Sequence, residues 1–333
     1  MSEFGAISCN TFLVFGTSDD RVIEAVGRTR NGKRTFEIGL YDGPDKKKLI
    51  INISSADGCH VGCNFCELIE TGAQLSVDEM FSEVATMLAV AKKVDGYDIR
   101  QKPLKVNVAK TGEPILNRNL VAALKRINQQ FPKTSFKLST SAPDVPFLLD
   151  RVRDWAVFAA AHHEGSTQLT VSLISTDEKF RRDSAKGKLA SLQQISQMVD
   201  IWHSNNPHGR TPNCSLLLGK ETPCDPRHIL SVLPPERVKI RIRPIVPTQH
   251  SLASGMQSIA PARIADILAD FRSCGYDIND AGVPTGTEIE HGLASNVTRG
   301  RNARRPYPKG IYYVQNGADI NNPRLIPIDA GPT

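Results

Sequence analysis

From Leu49 onward, short apolar runs alternate with longer stretches whose apolar residues recur at helical spacing. The runs Leu49–Ile53 (LIINI), Leu104–Val108, Ser135–Leu138, Leu169–Ile174 (LTVSLI), Ser215–Leu218 and Val238–Ile245 (VKIRIRPI) read as strands. Helical spacing extends from Ser76 to Ala91, with Ser76 and Glu79 placed to form a capping box. It returns at Leu116–Gln130, which Asn117 can cap, at Val145–Arg153, at Leu189–His203, briefly at Pro226–Val232, and at Pro261–Cys274. Six strand–helix units in one direction require parallel strands joined by helical crossovers, in an open sheet or a barrel. The predicted class is α/β.

The two ends break this rhythm. Residues 1–48 read as a small β-rich extension, with strand candidates at Thr11–Phe15 and Thr35–Tyr41 between Gly-, Asp- and Arg-rich turns. Residues 49–296 hold the alternating units, and residues 297–333 form a tail that opens on the basic stretch VTRGRNARRPYPK. That stretch is either a solvated segment or a contact for phosphate groups on a substrate or on RNA.

Composition narrows the class. The chain has 333 residues, 40% apolar and 23% charged, the balance of a soluble globular protein. No run reaches the roughly 20 apolar residues of a membrane span. The opening MSEFGAISCN has neither a basic start nor an apolar signal core, so a cytoplasmic location is expected. A net charge of +6 suits an anionic substrate such as a nucleotide without requiring a nucleic acid. Seven cysteines, three of them between Cys59 and Cys66, argue for a metal site in a reducing compartment rather than a disulfide framework.

The segment Gly58-Cys59-His60-Val61-Gly62-Cys63-Asn64-Phe65-Cys66 directly follows the first buried strand. Three thiolates on one compact loop can hold three irons of a 4Fe-4S cluster, leaving the fourth iron open to an exogenous ligand. The amino and carboxylate groups of a methionine suit that position. The competing readings are zinc and a redox dithiol. Zinc wants four ligands, commonly as two separated pairs, and His60 would need an awkward turn to serve beside Cys59. A thioredoxin-like pair leaves Cys59 without a role.

The CxxxCxφC spacing, with Phe65 at the aromatic position, resembles the signature of the radical S-adenosylmethionine (SAM) superfamily. Further matches over residues 49–296 resemble its RlmN/Cfr branch of rRNA adenine methyltransferases. Lys110-Thr111-Gly112-Glu113-Pro114-Ile115-Leu116-Asn117 looks like that family's GMGEPLLN, and Leu138-Ser139-Thr140-Ser141 like its LSTSG. Ser172-Leu173-Ile174 is similar to SLH, with Ile174 for the histidine. Ile245-Val246-Pro247-Thr248-Gln249 is similar to LIPYN, with Gln249 for the asparagine. The resemblance implies a partial parallel (β/α)6 barrel of radical-SAM type, a 4Fe-4S cluster on Cys59, Cys63 and Cys66, and S-adenosyl-L-methionine. It implies SAM contacts from Phe65, Gly112, Glu113, Ser139, Ser172, Ile174 and Gln249. For Glu113 the role would be accepting hydrogen bonds from the methionine ammonium; capping a helix near Asn117 is the plain alternative. It also implies an electron donor such as flavodoxin or ferredoxin.

The departures bear on the reaction. The family carries its methyl group on a cysteine in a segment like DIDAACGQL, whereas Gly286-Thr287-Glu288-Ile289-Glu290-His291-Gly292-Leu293 has no cysteine. The first cluster cysteine stands at position 59, so most of the family's N-terminal accessory domain is expected to be missing. Glu288, Glu290 and His291 are acid–base candidates by position. A radical enzyme acting on a small molecule or a nucleotide is therefore expected. The alternatives are an RlmN/Cfr-like methyltransferase acting on RNA or a nucleotide, and a non-catalytic iron–sulfur sensor. Cys214 and Cys224 read as structural thiols rather than second-cluster ligands, and Cys274 as a small apolar side chain in a helix. His162-His163-Glu164 reads as a solvated loop, and Arg241 and Arg243 as one charged face of a strand, inward or outward.

Overall fold

A computed structural model describes residues 10–16, 22–28, 35–41, 48–66, 68, 71–95, 103–162, 165–245, 249–280, 311–314 and 325–327. It divides into two compact units. The first comprises Met1–Gly58, Thr71–Phe136 and Asn296–Thr333, and the second Cys59–Glu70 and Lys137–Ser295.

In the first unit, strands β1 (Asn10–Gly16), β2 (Val22–Arg28), β3 (Thr35–Tyr41) and β4 (Leu49–Ile53) pair antiparallel in succession, and β5 (Leu104–Val108) lies parallel to β4. Strand β2 has no counterpart among the predicted strands. Alternation puts Leu49, Ile51, Ile53, Leu104, Val106 and Val108 into the core. Helix α1 (Val77–Asp95) buries Met80, Val84 and Met87 at helical spacing. Its predicted capping box forms: Ser76 N donates to Glu79 Oε2 at 2.8 Å and Glu79 N to Ser76 Oγ at 3.2 Å. Helix α2 (Leu120–Gln130) lies beside it, where Arg126 sits 4.4 Å over the Phe81 ring and pairs with Asp78.

Asn117 does not cap α2. The helix starts later, after a 3₁₀ turn at Pro114–Leu116, and Asn117 instead donates to Ser55 O (2.6 Å) and Leu75 O (2.9 Å). An amide with two carbonyls in reach satisfies more buried groups there than a cap would. In the region expected to be a tail, β11 (Ile311–Val314) pairs antiparallel with β1, and β12 (Leu325–Pro327) with β11. The run IYYV has the aromatic and β-branched content that favours a strand.

Strand β6 (Ser135–Thr140) begins in the first unit and continues in the second. The second unit also holds β7 (Thr167–Ile174), β8 (Asn213–Leu218), β9 (Lys239–Pro244) and the short edge strand β10 (Ile278–Asp280), successive neighbours in parallel. Helices α3 (Leu148–Ala161) and α5 (Leu192–Asn205) pack on each other and bury Trp155 and Trp202. Helix α3 runs on well past the predicted Arg153, because Trp155, Ala156, Phe158 and Ala159 continue its buried stripe. Helices α4 (Glu178–Asp183), α6 (Gln249–Ala253) and α7 (Pro261–Ser273) complete the unit. Pro226–Val232 contains only a 3₁₀ turn, Pro226–His228.

The fold class is α/β, with six parallel strands, β4 to β9, in a sheet that does not close, as in a partial barrel. On β9, Ile240 and Ile242 are buried while Arg241 is half-buried and Arg243 exposed, so the apolar set takes the core side. His162 is not solvated: it is buried at the end of α3 and stacks on Phe158 with centroids 5.4 Å apart. His163 and Glu164 lie outside the described residues. Among the described residues, no helix is long and apolar enough to cross a membrane.

Candidate functional site

The cysteine loop belongs to the second unit, and backbone pairing there explains its shape. Asn64 N donates to Ser184 O (2.9 Å), Lys186 N to Gly62 O (3.0 Å) and Gly187 N to Val61 O (2.9 Å), so the loop lies antiparallel to the segment after α4. The side chain of Asn64 adds a bond to Asp183 O at 2.9 Å. Gly62 holds φ +63°, a conformation that costs glycine little, and a Cβ there would stand 3.2 Å from that of Lys186. Cys66 N closes a turn onto Cys63 O at 3.1 Å.

All three cysteines are partly buried. Cys59, Cys63 and Phe65 pack on a cluster formed by Val61, Ile174 and Leu189, with Phe180 and Ala185. The structure thus brings together four of the residues expected from sequence: Cys59, Cys63, Phe65 and Ile174. Ile174 has φ +69° at the end of β7, next to a register shift against β8. A β-branched residue there is strained, and such strain persists only where packing over-determines it. Ile174 is 1% exposed, pressed against the cysteine loop.

Other expected contacts sit at strand ends. Ser139 lies near the end of β6, and its hydroxyl is buried with no hydrogen-bond partner among the described residues. Ser172 is half-buried on β7. Gln249 opens α6, but its side chain lies outside what the structure describes. In the first unit, Gly112 and Glu113 follow β5. Gly112 has φ +97°, and a Cβ there would come within 2.7 Å of Ala56 N and of Ser55 Oγ, itself buried with no partner among the described residues. Glu113 is 6% exposed, and its Oε1 accepts from Ile115 N at 3.1 Å, so it caps the 3₁₀ turn. Glu288, Glu290 and His291 lie outside the described residues.

On its donor chemistry the loop fits an iron–sulfur cluster: three thiols share one loop, and two of them, Cys59 and Cys63, stand beside a packed apolar wall. The buried, unpartnered Ser139 hydroxyl fits a polar ligand at the same end of the strands. Among the described residues, no three His, Cys, Asp or Glu side chains converge on one metal-ion position. A cluster does not need such convergence, since each thiolate binds a different iron. The remaining thiols differ in kind. Burial pushes Cys214 on β8 up to about 12, and Cys224 likewise up to about 12, so both stay protonated and poor as ligands. Cys274 lies just past α7 rather than within it.

Sequence reasoning missed two contributors. One is the segment Ser184–Ala190, which carries the loop; the other is Arg181, fully buried on helix α4, to which the apolar pattern assigns no element. The only local signal was Asp177, whose carboxylate caps α4 by accepting from Phe180 N at 2.6 Å.

The open parallel α/β sheet and the cysteine loop are those of the radical SAM superfamily. The chain superposes with a TM-score of 0.64 on the crystal structure of a radical SAM methyltransferase from Sphaerobacter thermophilus, at 20% identity over 82% of this chain and 76% of the other. Within the superfamily it resembles RlmN. It is 27% identical over 186 residues to the probable dual-specificity RNA methyltransferase RlmN of Prochlorococcus marinus, covering 54% of this chain and 48% of the relative. It is 30% identical over 169 residues to that of Nostoc punctiforme, covering 49% and 40%. The chain spans about half the length of these curated relatives or less. No family model matches it.

Proposed function

We propose that this chain is a radical SAM enzyme that holds a 4Fe-4S cluster on Cys59, Cys63 and Cys66 and acts on a small-molecule or nucleotide substrate. The observation that carries the reading is the three-thiol loop, clamped by backbone pairing and packed on Ile174 at a strand end. When bound, the cluster supplies the electron that cleaves the sulfonium bond of SAM to methionine and a 5′-deoxyadenosyl radical. The chain's own residues bind and orient. Within the second unit, Phe65 offers an aromatic face, and Ser139 and Ser172 offer hydroxyls on the strands that lead to the loop. Val61, Ile174 and Leu189 set an apolar wall beside Cys59 and Cys63. An external one-electron donor, flavodoxin or ferredoxin in type, completes the set.

A second reading, an RlmN-like methyltransferase acting on RNA or a nucleotide, draws support from the names of the relatives. Against it stands Gly286–Leu293, which lacks the cysteine that the family methylates. Anaerobic reconstitution, reduction and product chromatography decide. 5′-Deoxyadenosine and methionine are expected. S-Adenosylhomocysteine with a methylated substrate would favour the second reading, and iron binding without SAM turnover would make the protein a sensor. Zinc in place of iron, or full iron content in a Cys59→Ala/Cys63→Ala/Cys66→Ala variant, would overturn all three.

A further inference from the structure

We propose that Arg181 is a positioning residue: its buried guanidinium locks two strand ends to the segment carrying the cysteine loop, and places a fixed positive charge beside it. The inference rests on the cluster reading above for its electrostatic half only. Arg181 is 0% exposed. Its Nε donates to Ala190 O (3.3 Å), Nη1 to Ser172 O (3.0 Å) and Leu173 O (3.4 Å), and Nη2 to Ser141 O (2.8 Å). One side chain thus binds carbonyls from three separate stretches of chain.

Each stretch leads to the site. Ser141 directly follows β6, two residues after Ser139. Ser172 and Leu173 immediately precede Ile174, a member of the apolar cluster on which Cys59 and Cys63 pack. Ala190 ends the ribbon Ser184–Ala190. The first part of that ribbon pairs with the cysteine loop, and the last part with residues 142–144 after β6: Asp144 N donates to Lys188 O (2.9 Å) and Ala190 N to Ala142 O (2.8 Å). The carboxyl ends of parallel strands leave carbonyls beyond the last ladder bond, and buried carbonyls need donors. A planar five-donor fork can serve acceptors on three sides, whereas an ammonium is a point charge with three donors on a flexible stem. Burying a cation is costly, and an apolar side chain of similar volume would pack as well. Its charge, however, favours any group nearby that gains an electron, because low dielectric strengthens the attraction. Cluster potentials respond to local charge and hydrogen bonding in this way.

Charge and fork separate in two variants, Arg181→Lys and Arg181→Met. Hydrogen exchange on the cluster-free protein reads the geometric half. Backbone amides at 61–64 and 184–190 should exchange at least tenfold faster in both variants, with α7 unchanged. An EPR-monitored redox titration of reconstituted protein reads the other half: the midpoint should move to more negative potential in Arg181→Met and stay near wild type in Arg181→Lys. Wild-type exchange in Arg181→Lys overturns the need for the fork, even if Arg181→Met does not fold. An unshifted midpoint in Arg181→Met overturns the electrostatic role. If wild-type protein takes up no cluster, the cluster reading and the charge effect fail together, while the exchange result still decides whether Arg181 organises the loop.

Discussion

Two residues of the first unit, the buried Glu83 and the half-buried Gly112, carry measurable consequences. Glu83 on α1 is fully buried; its Oε2 accepts from Ser54 N at 2.8 Å, and its Oε1 has no partner among the described residues. Burial pushes this carboxyl well above its ordinary 4.5; the Ser54 hydrogen bond pulls the other way, and the charge of Glu79 adds to the rise. A carboxyl raised on folding contributes most stability below the unfolded value and loses it as pH rises toward the folded one. Glu83→Gln keeps an acceptor for Ser54 but does not titrate. Wild type should therefore lose stability relative to this variant as pH rises from 4.5. Urea denaturation across that range checks it, and a difference independent of pH would refute the assignment. Gly112→Ala forces a Cβ against Ala56 N and Ser55 Oγ at a backbone angle that disfavours alanine. A loss of about 2 kcal/mol is expected by chemical denaturation. A change within about 0.5 kcal/mol would mean the turn relaxes freely.

At the scale of elements, caps and strand environments make separate predictions. Helix α5 opens on a reciprocal box: Gln194 N donates to Ser191 Oγ at 3.1 Å, and Ser191 N to Gln194 Oε1 at 2.7 Å. Ser191→Ala should cost about 1 kcal/mol without altering iron binding. Cys214 sits inside β8, surrounded by apolar neighbours that hold its thiol up at about 12. Cys214→Ala and Cys224→Ala should both retain wild-type iron per chain after reconstitution. A halving of iron in either would instead point to a second cluster. Elements were most legible where periodicity was strong. Strands β4, β5 and β7, and the start of α1, fall where alternation and the capping box put them. Helix α4 escaped notice because it spans only six residues, and charged side chains in so short a stretch look like a solvated turn.

At the scale of the whole chain, its two ends meet in one unit. Strand β11, from the presumed tail, pairs with β1, from the N-terminal extension. Deleting residues 297–333 removes β11 and β12 and leaves the β1 edge open. The truncated protein should melt at least about 3 °C lower and associate as concentration rises. A monomer with an unchanged melting temperature would show that this pairing contributes nothing. The candidate site followed a similar division. Cysteine spacing, Gly112 and the hydroxyls at strand ends were readable because each belongs to a contiguous motif. Arg181 was not, since its four acceptors come from three distant stretches that only the folded sheet gathers.

Local order alone determined the class of fold and set three thiols on one short loop. Apolar residues at periods of two and 3.6 can bury one face only as strand or helix, and three thiols so close together have few uses besides metal. Tertiary structure decided what that order leaves open: that Ile174 is held at a positive φ in the cluster on which Cys59 and Cys63 pack, and that Asn117 bridges carbonyls instead of capping a helix. It also turned Ser184–Ala190 into the cysteine loop's partner. These depend on which buried donors and acceptors end up adjacent. Partners distant along the chain leave no periodic trace, because their pairing is chosen only when the strands have stacked.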